Sequence, residues 1–122
     1  MLGTASFVID LAKTRYKTPE ARAELNPVGL RLVFAVYEDG EILDISTATT
    51  LTICAQSPAG VDKEFVAAFL DDGADGEIYY DIADADIDEE GTWKLTVKLE
   101  GATFTRIAFD FCLLRTATPI CA

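Results

Sequence analysis

The sequence predicts a single all-β domain, and three observations lead to this prediction. Apolar and polar residues alternate over short stretches, the stretches recur about every dozen residues, and turn-forming residues separate them. Half of the 122 residues are hydrophobic, so the chain can bury one core without disulfides or a metal. Six or seven strands with one apolar face each favour a two-sheet β-sandwich, with a partly open barrel as the second choice.

The N-terminal part of the chain contains one predicted strand and one predicted helix. Apolar residues alternate over residues 7–11, as in a strand. Further on, Thr18-Pro19-Glu20 combines an N-cap residue, a proline at the first helical position and an early acidic residue, which predicts up to two helical turns over residues 21–25. Asn26-Pro27 would end this helix, because the residue before a proline is disfavoured in the α conformation.

Four stretches further along show the clearest strand alternation, and their apolar residues are predicted to face the core. Asp39-Gly40 supplies the positive φ angles of a tight turn after the first stretch. Trp93 alternates with polar residues, so we expect a core position for it rather than a ligand-stacking role. The predicted core residues are Leu30, Leu32, Phe34 and Val36; Leu51, Ile53 and Ala55; Ile78, Tyr80 and Ile82; and Trp93, Leu95, Val97 and Leu99.

Two other stretches are less regular. In residues 64–70 both the odd-numbered and the even-numbered positions carry apolar side chains, which predicts a strand covered on both faces. The short turn at Gly101 predicts that the following strand returns antiparallel to the strand that contains Trp93. In that last strand the alternation predicts one apolar face, made of Ile107, Phe109, Phe111 and Leu113, opposite Arg106, Ala108, Asp110 and Cys112.

Composition excludes several classes of function. There is no histidine, so histidine-dependent hydrolysis and imidazole metal sites are excluded. The net charge is −11 and the ten cations form no basic stripe, which argues against nucleic acid as a partner. No apolar run reaches the ~20 residues of a membrane helix, and no signal peptide is recognisable, which predicts a cytosolic origin. Cys54, Cys112 and Cys121 are an odd number without a C-x-x-C pair and are expected to be free thiols.

Ten acidic residues fall within residues 71–90 and raise the question of calcium or catalysis. An EF-hand loop starting at Asp71 has Gly73 at its third position and Ile82 at its twelfth, where oxygen ligands are required. We therefore expect a solvated acidic rim, with calcium binding left open as an alternative. A small sandwich with carboxylates on its turns offers no catalytic cleft, so no catalytic residue, cofactor or metal is predicted.

Six residues are predicted to contact other proteins. Three tyrosines fall on polar strand faces, and exposed aromatic residues are enriched at protein interfaces. Three apolar residues near the N-terminus exceed what the sandwich requires and are predicted to reach a neighbouring subunit. The tyrosines are Tyr16, Tyr37 and Tyr79, and the N-terminal residues are Phe7, Ile9 and Leu11, with Val8 in the same apolar segment.

Three segments carry a resemblance to a known family: residues 36–53 (VYEDGEILDISTATTLTI), residues 76–82 with 85–93 (GEIYYDI and ADIDEEGTW), and the aromatic alternation of residues 104–111. They resemble the immunoglobulin-like domains of bacteriophage baseplate and tail proteins, such as the N-terminal domain of the lactococcal phage baseplate upper protein. The likeness covers residues 28–114. Trp93 stands where a tyrosine is usual, Thr47 replaces a turn glycine, and the segment through Asn26 has no counterpart.

The resemblance implies an immunoglobulin-like antiparallel β-sandwich of about seven strands at residues 28–114, after an N-terminal extension (1–27) and before a C-terminal tail (115–122). It also implies a non-enzymatic virion protein of the tail, baseplate or fibre-attachment region. Such a protein assembles in the host bacterial cytoplasm, in symmetric copies, and anchors neighbouring virion proteins. The charge and the short apolar runs described above argue against nucleic acid and membrane partners. A capsid decoration protein and an adhesive or carbohydrate-binding module are the alternatives.

Overall fold

The computed structural model describes residues 3–11, 20–108 and 111–117. Within these ranges the chain is built of strands and turns without a helix, and the predicted all-β sandwich is confirmed. The strands are β1 (Gly3–Asp10), β2 (Glu20–Glu24), β3 (Leu30–Glu38), β4 (Glu41–Ile42), β5 (Thr50–Gln56), β6 (Asp62–Val66), β7 (Ala68–Phe69), β8 (Glu77–Asp81), β9 (Gly91–Glu100), β10 (Thr105–Ile107) and β11 (Cys112–Ala117).

The strands form two sheets. The first sheet has the order β1-β3-β8-β7, with β4 beside β3, and the second has the order β2-β11-β9-β5-β6, with β10 beside β9. Most neighbours are antiparallel, as expected, but each sheet also contains one parallel pair, β1 with β3 and β2 with β11. Both parallel strands come from the predicted N-terminal extension, which therefore adds one edge strand to each sheet.

The core lies between the sheets, and the predicted inward faces of β3, β5, β8 and β9 are confirmed. Phe34, Ile53 and Ile78 are fully buried on their strands. Trp93 is also fully buried, and its indole Nε1 donates a hydrogen bond of 3.0 Å to the carbonyl of Glu89, which satisfies its polar atom. Period-two alternation places these side chains on one face because successive side chains of a strand point to opposite sides.

The turn between β3 and β4 forms as predicted. Asp39 and Gly40 have φ angles of 53° and 83°, as a two-residue hairpin turn with two positive φ angles requires. The carboxylate of Asp10, at the end of β1, accepts hydrogen bonds from both of their amides, at 3.1 and 2.9 Å. The side chain of Asp10 thus joins the end of β1 to this hairpin.

The helix predicted over residues 21–25 is wrong. Residues 20–24 form β2, which pairs in parallel with β11, and Ala21 and Ala23 pack against the core. A five-residue helix is too short to offset its nucleation cost, whereas a strand here gains backbone hydrogen bonds from β11. The N-cap predicted at Thr18 lies outside the described residues.

Two predicted strand faces also require correction. In residues 64–70 only one face is buried: Phe65 is in the core and Val66 is 77% exposed. The chain changes sheets after Val66, because β6 pairs with β5 in the second sheet and β7 pairs with β8 in the first.

In the C-terminal region the antiparallel return is confirmed but the predicted inward face is reversed. Ala108, Cys112 and Leu114 are buried, whereas Ile107 is 56% exposed. The cause is the pairing with β9, in which Leu114 lies opposite Trp93 and faces inward with it.

Candidate interaction surface

The outward faces of the two sheets differ in chemistry. The second sheet presents a polar face: Thr92, Lys94 and Lys98 point outward from β9 between buried neighbours. Ion pairs cross this face, including Arg115 with Glu20 at 2.8 Å. This is the usual pattern of a sheet with one face in water.

The first sheet presents an apolar and aromatic outward face, which we call the tyrosine face. Val33, Ala35 and Tyr37 occupy the positions of β3 that alternate with its core residues, and all are partly exposed. Neighbouring strands add Val8 and Ile42, which are 38% and 58% exposed. The tyrosine face comprises Val8, Val33, Ala35, Tyr37, Ile42 and Tyr79.

Strand pairing makes the tyrosine face contiguous. Tyr79 lies directly opposite Val33 across the β3–β8 pair, and Tyr37 lies opposite Ile42 across the β3–β4 pair. On the other side, Val8 lies beside Ala35 in the parallel register of β1 and β3. Side chains in such positions are close enough to form one surface.

Among the described residues, this face carries more acidic than basic side chains. Glu77 projects from β8 opposite Ala35. The guanidinium of Arg31 stacks 4.2 Å from the centroid of the Tyr79 ring and donates hydrogen bonds of 2.8 and 3.1 Å to the carboxylate of Asp81. These hydrogen bonds lower the pKa of Asp81 and raise the pKa of Arg31. Arg31 is therefore neutralised by its own neighbour.

The loop at residues 71–76 adds further acidic groups beside the face. The Asp72 carboxylate accepts a hydrogen bond of 2.9 Å from the amide of Ala74, and the Asp75 carboxylate accepts one of 3.1 Å from the amide of Glu77. These carboxylates shape their own turns. Across the described ranges, no three Cys, Asp or Glu side chains are placed to hold a metal ion together.

At the opposite end of the sandwich, the acidic loop of residues 83–90 is held by internal contacts. The ammonium of Lys63 donates hydrogen bonds to the carbonyls of Ala85 and Asp86, both at 3.1 Å, and to the carboxylate of Asp88 at 3.0 Å. The hydroxyl of Tyr80 donates to the Asp86 carboxylate. These polar groups therefore hold the loop of residues 83–90 against the sandwich.

An open groove of about 410 Å³ lies on the second sheet, where Cys54 is flanked by Glu64, Lys94 and Phe111. Burial and the nearby charge of Glu64 raise the pKa of the Cys54 thiol. A thiol with a raised pKa is a poor nucleophile at neutral pH, so the groove offers no activated cysteine.

The six predicted contact residues fall into three groups. Tyr37 and Tyr79 are brought together on the tyrosine face, while Tyr16 lies outside the described residues. The other three fill the core of their own chain, with Phe7 stacked on Phe34 at a centroid distance of 5.0 Å. Contact with another subunit stays a prediction for all six. The core residues of this set are Phe7, Ile9 and Leu11.

Sequence reasoning missed three members of the tyrosine face. The signal lay at the positions between core residues: in Leu32 to Val36 every residue is apolar, although a strand with one face in water carries polar residues at every second position. The missed residues are Val33, Ala35 and Ile42.

The described strands define a small β-sandwich with one charged and one apolar outer face. No protein-family model matches the chain, and no curated protein matches it. Among solved structures, the N-terminal domain of phage TP901-1 ORF48 is similar, with a TM-score of 0.70 over 95% of this chain and 99% of that chain at 11% sequence identity. The expected resemblance to a phage domain is confirmed at the level of the fold. No helix with the length and apolarity of a membrane span occurs in the described ranges.

Proposed function

We propose that this chain is a non-enzymatic structural protein of a bacteriophage virion, a tail, baseplate or fibre-attachment component. It assembles in symmetric copies in the host bacterial cytoplasm and anchors neighbouring tail proteins. The observation that carries the proposal is the likeness in fold to the N-terminal domain of phage TP901-1 ORF48, which spans nearly the whole of both chains.

The surface chemistry supports an assembly role over a catalytic one. The tyrosine face is the outward face of a sheet, whereas an active site needs convergent polar groups in a concave pocket. Exposed aromatic residues are enriched at protein interfaces. Tyr37 and Tyr79 are partly exposed on the outward face of the first sheet.

Location in the particle tests the proposal. Antibody raised against the chain is used for immunogold electron microscopy of purified particles from the source, and mass spectrometry measures the copy number relative to known virion proteins. Label at the tail or baseplate is expected. Label over the head would favour the capsid decoration alternative. A virion proteome without the chain would refute the proposal, and an adhesive or carbohydrate-binding module would then be the favoured function.

A further inference from the structure

We propose that the tyrosine face binds a different protein, one that presents an apolar patch bordered by lysine or arginine side chains. It does not pair with the tyrosine face of a second copy. This inference rests on the proposed function, because such a face serves a chain that assembles with others. It goes beyond the proposed function by naming the surface that binds, the chemistry of the partner, and the absence of pairing between two tyrosine faces.

The first argument is the composition of the face. A sheet with one face in water carries polar residues at its outward positions, as β9 does with Thr92, Lys94 and Lys98. The outward positions of β3 instead hold Val33, Ala35 and Tyr37. Covering these side chains removes apolar area from water, which is the main driving force of association.

The second argument is charge. Glu77 lies within the first sheet's outward face, and Asp71, Asp72 and Asp75 lie in the loop before it, where the carbonyl of Gly76 accepts a hydrogen bond of 2.9 Å from the amide of Val36 on β3. The cation described on this face, Arg31, is already paired with Asp81. Two tyrosine faces in contact would bring like charges together, which costs several kcal/mol at an interface. A rim of lysine or arginine on the partner removes this repulsion and fixes the register of the contact.

The second sheet of another copy does not supply such a rim. Among the described residues, the cations on its outward face lie beside acidic groups: Arg115 and Arg22 share Glu20, at 2.8 and 3.9 Å, and Lys98 pairs with Glu100 at 3.4 Å. The ammonium of Lys94 lies 5.4 Å from the centroid of the Phe111 ring. With a net charge of −11, copies of this chain repel one another in general. The chemistry of the face therefore points to another, basic protein.

Photocrosslinking in assembling particles tests the inference. The full chain carries Tyr79→p-benzoylphenylalanine, with Thr92→p-benzoylphenylalanine on the charged face as the matched control. Cells are irradiated during assembly, and the crosslinked peptides from purified particles are sequenced by mass spectrometry. We expect an adduct of the Tyr79 variant with a different protein, at a peptide rich in lysine or arginine. Three results would overturn the inference: an adduct with a second copy, an adduct from the Thr92 variant alone, or particles that contain the chain without a Tyr79 adduct.

A charge reversal adds a second readout in the same particles. Glu77→Lys should lower the yield of the Tyr79 adduct about tenfold, because a close charge pair at an interface contributes at least that factor. Glu64→Lys, on the outward face of the second sheet, should leave the yield unchanged. Equal yields from both variants would contradict the proposed role of charge.

A measurement in solution separates this inference from the proposed function. The probe is a synthetic β-hairpin peptide with valine and tyrosine on one face and lysines along its rim, and its control carries glutamates in place of the lysines. Amide NMR shifts of the full chain should change at Val33, Tyr37 and Tyr79 with the lysine peptide alone. No shift, or equal shifts with both peptides, overturns the inference. If the chain is absent from virions, the proposed function fails, and the peptide result still decides the inference.

Discussion

The ammonium of Lys63 lies 5.5 Å from the centroid of the Trp93 ring and links this core side chain to the loop of residues 83–90. It also donates to two loop carbonyls and to the carboxylate of Asp88. Lys63 comes from the edge strand β6, and Trp93 from the centre of the second sheet. One partly buried cation thus fixes a strand, a loop and the core.

Replacing Lys63 should destabilise the fold. Lys63→Met keeps the apolar stem and removes the ammonium, so the carbonyls of Ala85 and Asp86 lose their charged donor. We expect a loss of about 1–3 kcal/mol in the free energy of unfolding. Urea unfolding followed by the fluorescence of Trp93, the one tryptophan of the chain, measures it. The control Lys98→Met removes a surface pair with Glu100 and should cost less than about 1 kcal/mol. Equal losses would contradict this account.

Strand β1 should be part of the folding unit. Phe7 is 2% exposed and stacks on Phe34, so Phe7→Ala should cost about 3–5 kcal/mol. Ser6→Ala, at the neighbouring outward position, should change stability by less than about 0.5 kcal/mol. Thermal unfolding of both variants compares them. A Phe7→Ala variant as stable as the Ser6→Ala variant would show that β1 contributes nothing to the core.

Thiol reactivity should report the inward face of β11. In a Cys121→Ser background, the native chain should expose one reactive thiol, Cys54, and react slowly because its pKa is raised by burial and by Glu64. Cys112 is fully buried and should react only after unfolding in denaturant. Labelling with Ellman's reagent at pH 8, first of the native chain and then in denaturant, counts the thiols that react in each state. If Cys112 reacts in the native chain as fast as Cys54, the assigned face of β11 is wrong.

Stability should fall at acid pH through two ion pairs. Hydrogen bonds from Arg31 and from Lys63 lower the pKa of Asp81 and of Asp88, respectively. Each carboxylate therefore stabilises the folded state fully above the unfolded pKa of about 3.9 and loses this contribution as the pH falls below that value. Urea midpoints between pH 2 and 6 should decline less steeply in Arg31→Gln than in the unmodified chain. Parallel pH curves for the two proteins would refute the contribution of this pair.

Stability should also fall at alkaline pH through Tyr80. Burial, and then the hydrogen bond to Asp86, raise the pKa of Tyr80 to about 12. The folded state holds this proton more tightly than the unfolded state, whose tyrosine pKa is about 10, so the contribution is present below pH ~10 and is lost as the pH rises towards 12. Absorbance at 295 nm should show a late step in the tyrosine titration. Tyr80→Phe should abolish that late step, and its persistence would assign it to another tyrosine.

Part of the candidate surface could be predicted from the sequence. Tyr37 and Tyr79 could be placed outward, because they alternate with core residues on their own strands. Their placement on one face could not be predicted, since it depends on β8 pairing with β3, which is distant in sequence, as well as with β7. The core position of residues 7–11 could not be predicted for the same reason: β1 pairs with β3, about thirty residues away, and fills the core with it.

The sequence by itself determined the all-β class, the turn at Asp39-Gly40 and the buried faces of β3, β5 and β9. These depend on local rules: a strand with one buried face must place apolar residues at every second position, and a tight turn needs residues that accept positive φ. Tertiary structure alone decided that residues 20–24 form a strand, that the chain changes sheets after Val66, and that Leu114 rather than Ile107 faces the core. For residues 20–24 and for Leu114 the deciding hydrogen bonds come from a strand that is not adjacent in sequence, and a shift of one residue in that pairing turns every side chain to the opposite face. At Val66 the pairing strands β5 and β8 are adjacent in sequence to β6 and β7, but they belong to different sheets.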